Sequence, residues 1–224
     1  MADRYVFSDE AGDLEFSQKS SSRYWIVTTV TASTWTAGDA LLNLRRRLAW
    51  QGVDAHPEFR ASEELQPVRD RVFQVLQEHD FRVDATIFDK RKVVPHRRER
   101  ADRFYGFAWY FHLKRLAPRI TVAGDRLLLV PATLGRTRAK QEVFSQAVRS
   151  VVDQVVNPKV EVRCAFWMAR SDPCLWVADY CSWAIQRKWE HKWQGQPDAR
   201  SHQLIAAKIR SEFDIFAIGT KTYY

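Results

Sequence analysis

The chain has 224 residues and a mass of 26.2 kDa, and 46% of its residues are hydrophobic, which is enough for one domain with a sizeable core. Its apolar stretches are short and interrupted by charges, which excludes the run of about 18 apolar residues that a membrane-spanning helix needs. Thirty-five Lys and Arg against 27 Asp and Glu give a formal charge of +8, which favours a polyanionic partner such as nucleic acid. We therefore predict a single domain over residues 1–224 and no membrane partner.

The class of protein is narrowed further by the cysteines, the histidines and the amino terminus. Cys164, Cys174 and Cys181 form an odd set without Cys-x-x-Cys spacing, and the six histidines lack a zinc-binding pattern. The amino terminus leads directly into an apolar segment without the features of a secretory signal. These patterns predict a reduced, zinc-free, cytoplasmic protein.

The amino-terminal segment predicts two antiparallel strands. Tyr5-Val6-Phe7 is typical of a short buried strand that leads into the polar turn Ser8-Asp9-Glu10-Ala11-Gly12-Asp13, where Gly12 supplies backbone freedom. Residues 24–31 are rich in β-branched and aromatic side chains and predict the second strand. The carboxylates of the turn are therefore expected at the carboxyl end of a strand.

The rest of the chain predicts three more strands and six helices. The strands are expected over residues 81–88, 126–130 and 160–167. The helices are expected over residues 36–50, 68–76, 99–116, 137–152, 173–190 and 201–213. Strands early and alternation of strands and helices late predict an α/β fold: a mixed five-stranded sheet flanked by helices, with extra helices inserted after the second strand.

Two acidic segments supply the candidate catalytic residues. Asp9 and Glu10 lie in the first turn, and Asp179 lies with Glu190 on the flank of the buried stripe of helix 173–190. Carboxylates from separate elements can hold two Mg²⁺ or Mn²⁺ ions about 4 Å apart, which activate water and stabilise the leaving oxygen in phosphodiester hydrolysis. Adjacent strand residues point to opposite faces, so Asp9 and Glu10 could share an ion only where the strand has ended. The structural alternative is a local Asp–Gly turn and a solvated helix flank.

Three segments together resemble the domain of unknown function 3800 family. They are Phe7-Ser8-Asp9-Glu10-Ala11-Gly12-Asp13, Phe88-Asp89-Lys90, and Asp172-Pro173-Cys174-Leu175-Trp176-Val177-Ala178-Asp179-Tyr180 with Trp183-Ala184-Ile185-Gln186-Arg187-Lys188-Trp189-Glu190. The resemblance spans nearly the whole chain and implies an RNase H-like fold. In that fold the strands near residues 4, 25 and 82 are antiparallel, and those near 127 and 161 join parallel to the first. It marks Asp9, Glu10 and Asp179 as the acidic centre, with Asp13 and Asp89 as further candidate metal ligands.

One position departs from the pattern of that family. Many relatives carry a carboxylate at the end of the fourth strand, where this chain has Val130-Pro131-Ala132, and Asp125 lies at the other end of that strand. The site would then hold one ion weakly, recruit Glu142 or Glu190 as a ligand, or have lost catalysis.

Basic and aromatic residues predict a surface for nucleic acid. The run 90–103 is suited to tracking a phosphate backbone, with a solvated loop and helix start as the alternative. Trp176, Tyr180 and Trp183 could stack on unpaired bases, pack under another helix, or lie at a homodimer contact. His56 and Arg60 lie in a loop that could border the site, with a plain connecting loop as the alternative. The candidate nucleic-acid contacts are Lys90, Arg91, Arg97, Arg98, Arg187 and Lys188.

The sequence thus supports two functions. The first is a Mg²⁺- or Mn²⁺-dependent nuclease or related phosphodiesterase, with Asp9 and Asp179 as ligands and Glu10 as ligand or base. The second is a non-catalytic module on the same scaffold that binds nucleic acid or a protein partner, in line with the missing fourth-strand carboxylate.

Overall fold

The fold is a mixed β-sheet with helices on both faces. The computed structural model describes residues 1–16, 22–53, 55–132, 138–194 and 199–217, without the side chains of 191–194. The strands are β1 (Asp3–Ala11), β2 (Tyr24–Ala32), β3 (Arg82–Asp89), β4 (Arg126–Pro131), β5 (Glu161–Cys164) and β6 (Ile209–Asp214). The α-helices are α1 (Thr36–Trp50), α2 (Gln66–Glu78), α3 (Pro95–Arg98), α4 (Ala101–Ile120), α5 (Arg138–Val155), α6 (Pro173–Gln194) and α7 (Arg200–Ile205). The predicted α/β class is confirmed.

The strands lie in the order β5-β4-β1-β2-β3-β6. β1 and β3 both pair antiparallel with β2, whereas β4 is parallel to β1 and β5 is parallel to β4. These directions agree with those expected for the strands near residues 4, 25, 82, 127 and 161. The helices inserted after the second strand are α1 and α2. β1 therefore lies at the junction of the antiparallel and parallel halves of the sheet.

The last predicted helix is wrong in its second half. The helix expected over residues 201–213 ends at Ile205, and after a short 3₁₀ turn the chain forms β6, which is parallel to β3. Pairs such as Val83 with Ile209 and Thr86 with Phe213 cover the outer edge of β3, whose backbone groups would otherwise have no strand partner. The sheet accordingly has six strands rather than the five expected.

The first strand is longer than predicted. It continues past Phe7 to Ala11, because Asp9, Glu10 and Ala11 keep pairing with β2. The two acids therefore lie inside a strand rather than in the turn after it, and the alternation of side chains still applies to them. The connection that follows is described only in part, since residues 17–21 of the predicted hairpin loop lie outside the described residues.

The turn after β1 depends on Gly12. Its φ is 94°, in the left-handed region, and a Cβ on this residue would collide with the carbonyl oxygen of Tyr24. Gly12→Ala should therefore lower the free energy of unfolding by about 2 kcal/mol. Gly124 is a matched control, because its φ is 90° but nothing lies within 4 Å of its Cβ position. Gly124→Ala should cost only about 1 kcal/mol in urea unfolding, and equal losses for both variants would contradict the close approach at Gly12.

The hydrophobic core forms two layers, one on each face of the sheet. One layer contains Phe7 and Ile26 with side chains of α1, α2, α6 and α7, and we call this side the α6 face. The other contains Val6 and Val27 with side chains of α4 and α5, and we call it the α4 face. Successive residues of β1 thus alternate between the two layers, as the pleat requires. In the part of the chain that the structure describes, no helix combines the length and the apolar character needed to cross a membrane.

Candidate functional site

Asp9 and Glu10 point to opposite faces of the sheet. Glu10 lies on the α4 face, where its Oε1 accepts hydrogen bonds from Tyr105 Oη at 3.1 Å and from Trp109 Nε1 at 3.0 Å. Phe7 and Ala11, two residues before and two residues after Asp9, are buried in the core layer of the α6 face. Asp9 therefore points to the α6 face as well. The structure therefore separates two acids that the sequence analysis placed in one site.

Asp179 lies on the same face as Asp9, on the second turn of α6. This helix packs against β1 and β2, and the Oδ2 of Asp179 accepts a hydrogen bond from the backbone N–H of Ala61 at 2.8 Å. Burial raises the pKa of Asp179 to about 6, which the Ala61 N–H and the Arg60 guanidinium offset only in part. A carboxyl group that titrates near neutral pH is typical of functional sites.

The loop 56–64 is held over α6 by two side chains. Phe59 is buried and packs edge-on against Trp176 of α6, with ring centroids 5.6 Å apart. Arg69 of α2 donates a hydrogen bond from Nη1 to the carbonyl oxygen of Ala61 at 3.0 Å. These contacts place the middle of the loop beside Asp179.

The charged residues of this loop form a cluster at Asp179. Arg60 pairs through Nε with Glu58 Oε1 at 3.2 Å and through Nη1 with Glu63 Oε1 at 2.7 Å. Both glutamates raise the pKa of Asp179 further, so their charges act on it directly. Glu58 and Glu63 were not among the site residues predicted from the sequence. They could have been found from the sequence by the charged residues on both sides of the apolar Phe59. This pattern indicates a loop whose apolar residue packs into the core while its charged residues stay at the surface.

The position of the missing carboxylate lies beside β1. Pro131 pairs with Ser8, and the N–H of Ala132 donates to the carbonyl oxygen of Ser8 at 3.1 Å. Ala132 is buried in the same core layer as α6, so its methyl group lies on the face of Asp9. Residues 133–137 lie outside the described residues. At this strand end, the described chain has a methyl group where the family resemblance would lead to an acid.

The two expected substitutes for that carboxylate have other partners. Glu142 lies on α5, on the opposite face of the sheet, and pairs with Arg149 at 2.7 Å. Glu190 accepts the backbone N–H groups of Arg23 at 3.3 Å and Tyr24 at 3.0 Å, which holds the start of β2. It also lies three turns beyond Asp179, about 16 Å along the helix axis. Glu142 therefore lies on the other face of the sheet, and Glu190 lies on the α6 face but far along the helix from Asp179.

Asp13 and Lys90, predicted as a metal ligand and a phosphate contact, bind each other. Lys90 is 4% exposed, and its Nζ lies 2.8 Å from Asp13 Oδ1 and 3.0 Å from the carbonyl oxygens of Asp13 and Glu15. The Oδ2 of Asp13 also accepts the N–H of Ser22 at 3.0 Å. The pair fastens the turn after β1, and the ammonium group is turned into the protein rather than toward a phosphate in solvent.

Asp89 and Arg91 form a second charged cluster, in which Asp89 is buried and Arg91 is exposed. The Oδ2 of Asp89 lies 2.6 Å from Arg23 Nη2 and 3.1 Å from Arg91 Nη2. Burial opposes ionisation of Asp89, but the hydrogen bonds from Arg91 and Arg23 outweigh it and lower the pKa of this carboxyl group. Its charge is thus neutralised by two guanidinium groups, an arrangement that stabilises the loop after β3.

The remaining predicted nucleic-acid contacts lie in packed surroundings. The Arg97 guanidinium lies 4.3 Å from the Phe107 ring centroid, and Arg98 donates to the carbonyl oxygens of Val93 and Arg91. The guanidinium of Arg187 lies 5.7 Å from the Trp183 ring centroid, and Lys188 Nζ pairs with Glu212 of β6 at 2.7 Å. A nucleic-acid role for these residues stays a prediction.

The aromatic residues of α6 pack inside the chain. Trp176 and Tyr180 are buried, and the ring of Tyr180 lies 5.3 Å from that of Phe73 on α2. Trp183 lies 6.4 Å from the same ring and under the Arg69 guanidinium at 5.2 Å. For Trp176 and Tyr180 the interpretation in which the rings pack under another element is confirmed, and these two rings are not available to stack on bases, whereas Trp183 is only partly buried.

The predicted acids do not assemble into a complete metal site. Among residues 1–16, 22–53, 55–132, 138–194 and 199–217, no group of three or more His, Cys, Asp or Glu side chains is placed to hold a metal ion. Asp9 and Asp179 are the members of the predicted acidic centre that share one face.

Comparison with known proteins assigns no family. No protein-family model and no curated protein matches the chain. The family resemblance and the roles it implies therefore stay predictions.

Proposed function

We propose that the chain is a divalent-metal-dependent phosphodiester hydrolase of the nuclease type, built on an RNase H-like sheet with Asp9 and Asp179 as its acidic centre. The observation that carries this proposal is that the two acids belong to β1 and to the helix packed on it, and share one face of the sheet. The strand directions support it, because β1 has one antiparallel and one parallel neighbour, as the family resemblance implies. The charge of +8 would attract a polyanionic substrate.

The acidic centre offers the type of donor that Mg²⁺ and Mn²⁺ prefer, but it offers fewer carboxylates than a complete site needs. Carboxylate oxygens are the ligands these ions prefer, and Asp9 and Asp179 would supply them. Glu58 and Glu63 act on Asp179 as further charges, but both are bonded to Arg60 in this arrangement. When bound, such an ion supplies an activated water molecule and stabilises the leaving oxygen.

Two buried hydroxyl groups support a polar ligand at this face. Thr28 lies directly across from Asp9 in the pairing of β1 with β2, and Ser182 lies three residues after Asp179 on α6. Both side chains are buried, and neither hydroxyl has a hydrogen-bond partner among the described residues. Buried polar groups are nearly always paired, so these hydroxyls favour a bound polar species between β1, β2 and α6.

Arg60 is the residue best placed to bind a substrate phosphate at this centre. It lies beside Asp179, and its planar guanidinium group suits the geometry of a phosphate. A phosphodiester drawn to Arg60 would compete with Glu58 and Glu63, which would free the two glutamates to approach a cation. Asp179 would hold that cation above pH 6, where it is ionised.

A non-catalytic nucleic-acid-binding module on the same scaffold is the second candidate. Ala132 favours it, because this methyl group takes the place of an acid on the face of Asp9. A module of this kind would bind polynucleotides with a steep dependence on salt and would need no divalent ion.

The test is calorimetric titration of Mn²⁺ into the parent protein and into Asp9→Asn, Asp179→Asn and Asp70→Asn, with cleavage of mixed DNA and RNA substrates measured in parallel. Asp70 is a matched control, because it is an acid of α2 that pairs with Arg200 at 3.2 Å and lies outside the acidic centre. We expect Mn²⁺ binding and cleavage in the parent and in Asp70→Asn, and loss of both in the other two variants.

Two results would overturn the nuclease proposal. One is the absence of both Mn²⁺ binding and cleavage in the parent, which would favour the binding module. The other is cleavage that survives in both Asp9→Asn and Asp179→Asn, which would place the chemistry elsewhere.

A further inference from the structure

A basic cavity lies at the end of the sheet opposite the acidic centre. Its volume is about 430 Å³, and it opens on the α4 face, between the strand ends and the end of α4. Ligand sites in proteins generally have volumes of about 300–1,000 Å³. The side chains that matter for its chemistry are Arg4, Thr31, Asp80, Arg82, Arg119 and Arg210.

Two of the four arginines are oriented by buried carboxylates. Arg82 binds Asp84 through Nε at 2.5 Å and Nη2 at 2.9 Å, and Arg4 binds Asp125 through Nε at 3.3 Å. Asp84 and Asp125 are 3% and 2% exposed, so each holds its guanidinium from within the protein. A guanidinium has five N–H donors, and these pairs leave Nη1 of both arginines outside the ion pair. Both guanidinium groups are thereby held in one orientation, and each keeps N–H donors that can bind a ligand.

The other two arginines bring positive charge that no carboxylate neutralises. Within the described residues, neither Arg119 nor Arg210 has a carboxylate partner, and Asp80 is exposed, with Lys208 Nζ at 3.7 Å. Burial lowers the pKa of Arg115, and the neighbouring Arg119 guanidinium lowers it further. Arg115 itself does not line the cavity, so an anion bound at Arg119 would offset only the charge that Arg119 brings to this region.

Thr31 adds a donor on the cavity wall. It is 6% exposed, it lines the cavity, and its buried hydroxyl has no hydrogen-bond partner among the described residues. A hydroxyl in that position is unfavourable in the protein alone but can donate to an oxygen of a ligand.

We propose that this cavity is an anion site that binds a phosphate group through Arg119, Arg210 and Thr31, with Arg4 and Arg82 as oriented supporting cations. Guanidinium groups match phosphate oxygens in charge and geometry, and the cavity has room for the sugar or base attached to the phosphate. The site goes beyond the proposed nuclease centre and shares no residue with it, so it stands or falls independently.

The test is titration of inorganic phosphate at constant ionic strength into the parent and the double variant Arg119→Gln/Arg210→Gln. The matched control is Arg149→Gln/Arg163→Gln, which removes the same charge from two arginines that pair with Glu142 and Glu161 on the surface. We expect saturable binding in the parent, weakening of at least about tenfold in the cavity variant, and less than about twofold in the control.

Thr31→Val separates binding from folding. Removing an unpartnered buried hydroxyl should leave the melting temperature unchanged or raised, while phosphate affinity falls by about three- to tenfold. Titrations with a nucleoside 5′-monophosphate and with a 5′-phosphorylated oligonucleotide then distinguish the source of the phosphate, since the source that binds more tightly than inorganic phosphate identifies the ligand class.

Two results would overturn the proposal. One is the lack of saturable phosphate binding in the parent. The other is an equal loss of phosphate affinity in the cavity variant and the control variant, which would mean that phosphate responds to the net charge of the protein and not to this cavity.

Discussion

Asp179→Asn should abolish metal-dependent cleavage and yet raise the free energy of unfolding at pH 8, by as much as about 3 kcal/mol. Burial raises the pKa of this carboxyl group from 3.8 to about 6, so ionisation is disfavoured in the folded chain relative to the unfolded chain. The protonated form of Asp179 contributes favourably to the stability of the folded chain. This contribution is fully present below pH 3.8 and is lost as the pH rises through about 6. Asn carries no charge, and its side-chain oxygen can still accept the Ala61 N–H.

The measurement is urea unfolding of parent and variant at pH 8 and at pH 3.5. We expect nearly all of the gain at pH 8 to be lost at the lower pH, where Asp179 is protonated in the folded chain and mostly protonated in the unfolded chain. Asp70→Asn, on the surface of α2, should show no such difference between the two pH values. A loss of stability at pH 8 in Asp179→Asn would mean that the attraction to Arg60 outweighs burial and that Asp179 is a structural residue.

The free energy of unfolding should fall by about 3 kcal/mol as the pH falls from 6.5 to 4, because of the buried His112. It lies on the buried face of α4, with Nε2 2.9 Å from Thr29 Oγ1 and Nδ1 2.9 Å from Thr86 Oγ1. Burial lowers its pKa from 6.5 to about 4, because a charged imidazole would have little solvation there. The contribution of the neutral ring is complete above pH 6.5 and is lost as the pH falls through about 4, since the unfolded chain binds the proton first.

His112→Gln is the matched control for this pH dependence. The amide of Gln can donate to one threonine and accept from the other, but it does not titrate. Denaturant unfolding between pH 7 and pH 4 should show the loss in the parent and a shallower decline in the variant. An imidazole that titrates near 6.5 in the folded protein, as observed by NMR, would contradict the assignment.

Much of the secondary structure followed from local patterns. The helix predicted over residues 36–50 has those bounds. The strands near residues 25 and 82 appear where β-branched and aromatic residues cluster, and the strand near 127 appears at a short continuous apolar run. In these segments local propensity and the hydrophobic period favour the same structure. Residues 209–213 were predicted as the second half of a helix because their pattern is compatible with one, but they pair as a strand with the otherwise free edge of β3.

The candidate site was predictable in part for the same reason. Asp9 and Asp179 could be selected from their positions in a strand segment and on a helix flank. Glu10 could not be placed correctly, because its direction depends on where β1 ends, and that depends on pairing with β2 rather than on the turn-like local sequence. Lys90 likewise reads as part of a basic run, whereas long-range contacts bury it against Asp13.

The sequence by itself determined the α/β class, most of the helices and strands, and the two acids that share a face. Only the tertiary structure decided that the loop 56–64 carries Arg60, Glu58 and Glu63 to Asp179, and that arginines from four separate elements converge on one cavity. The physical reason is that these groupings depend on contacts between residues far apart in the chain. Side chains brought together by packing and by strand pairing leave no periodic or spacing signal along the sequence.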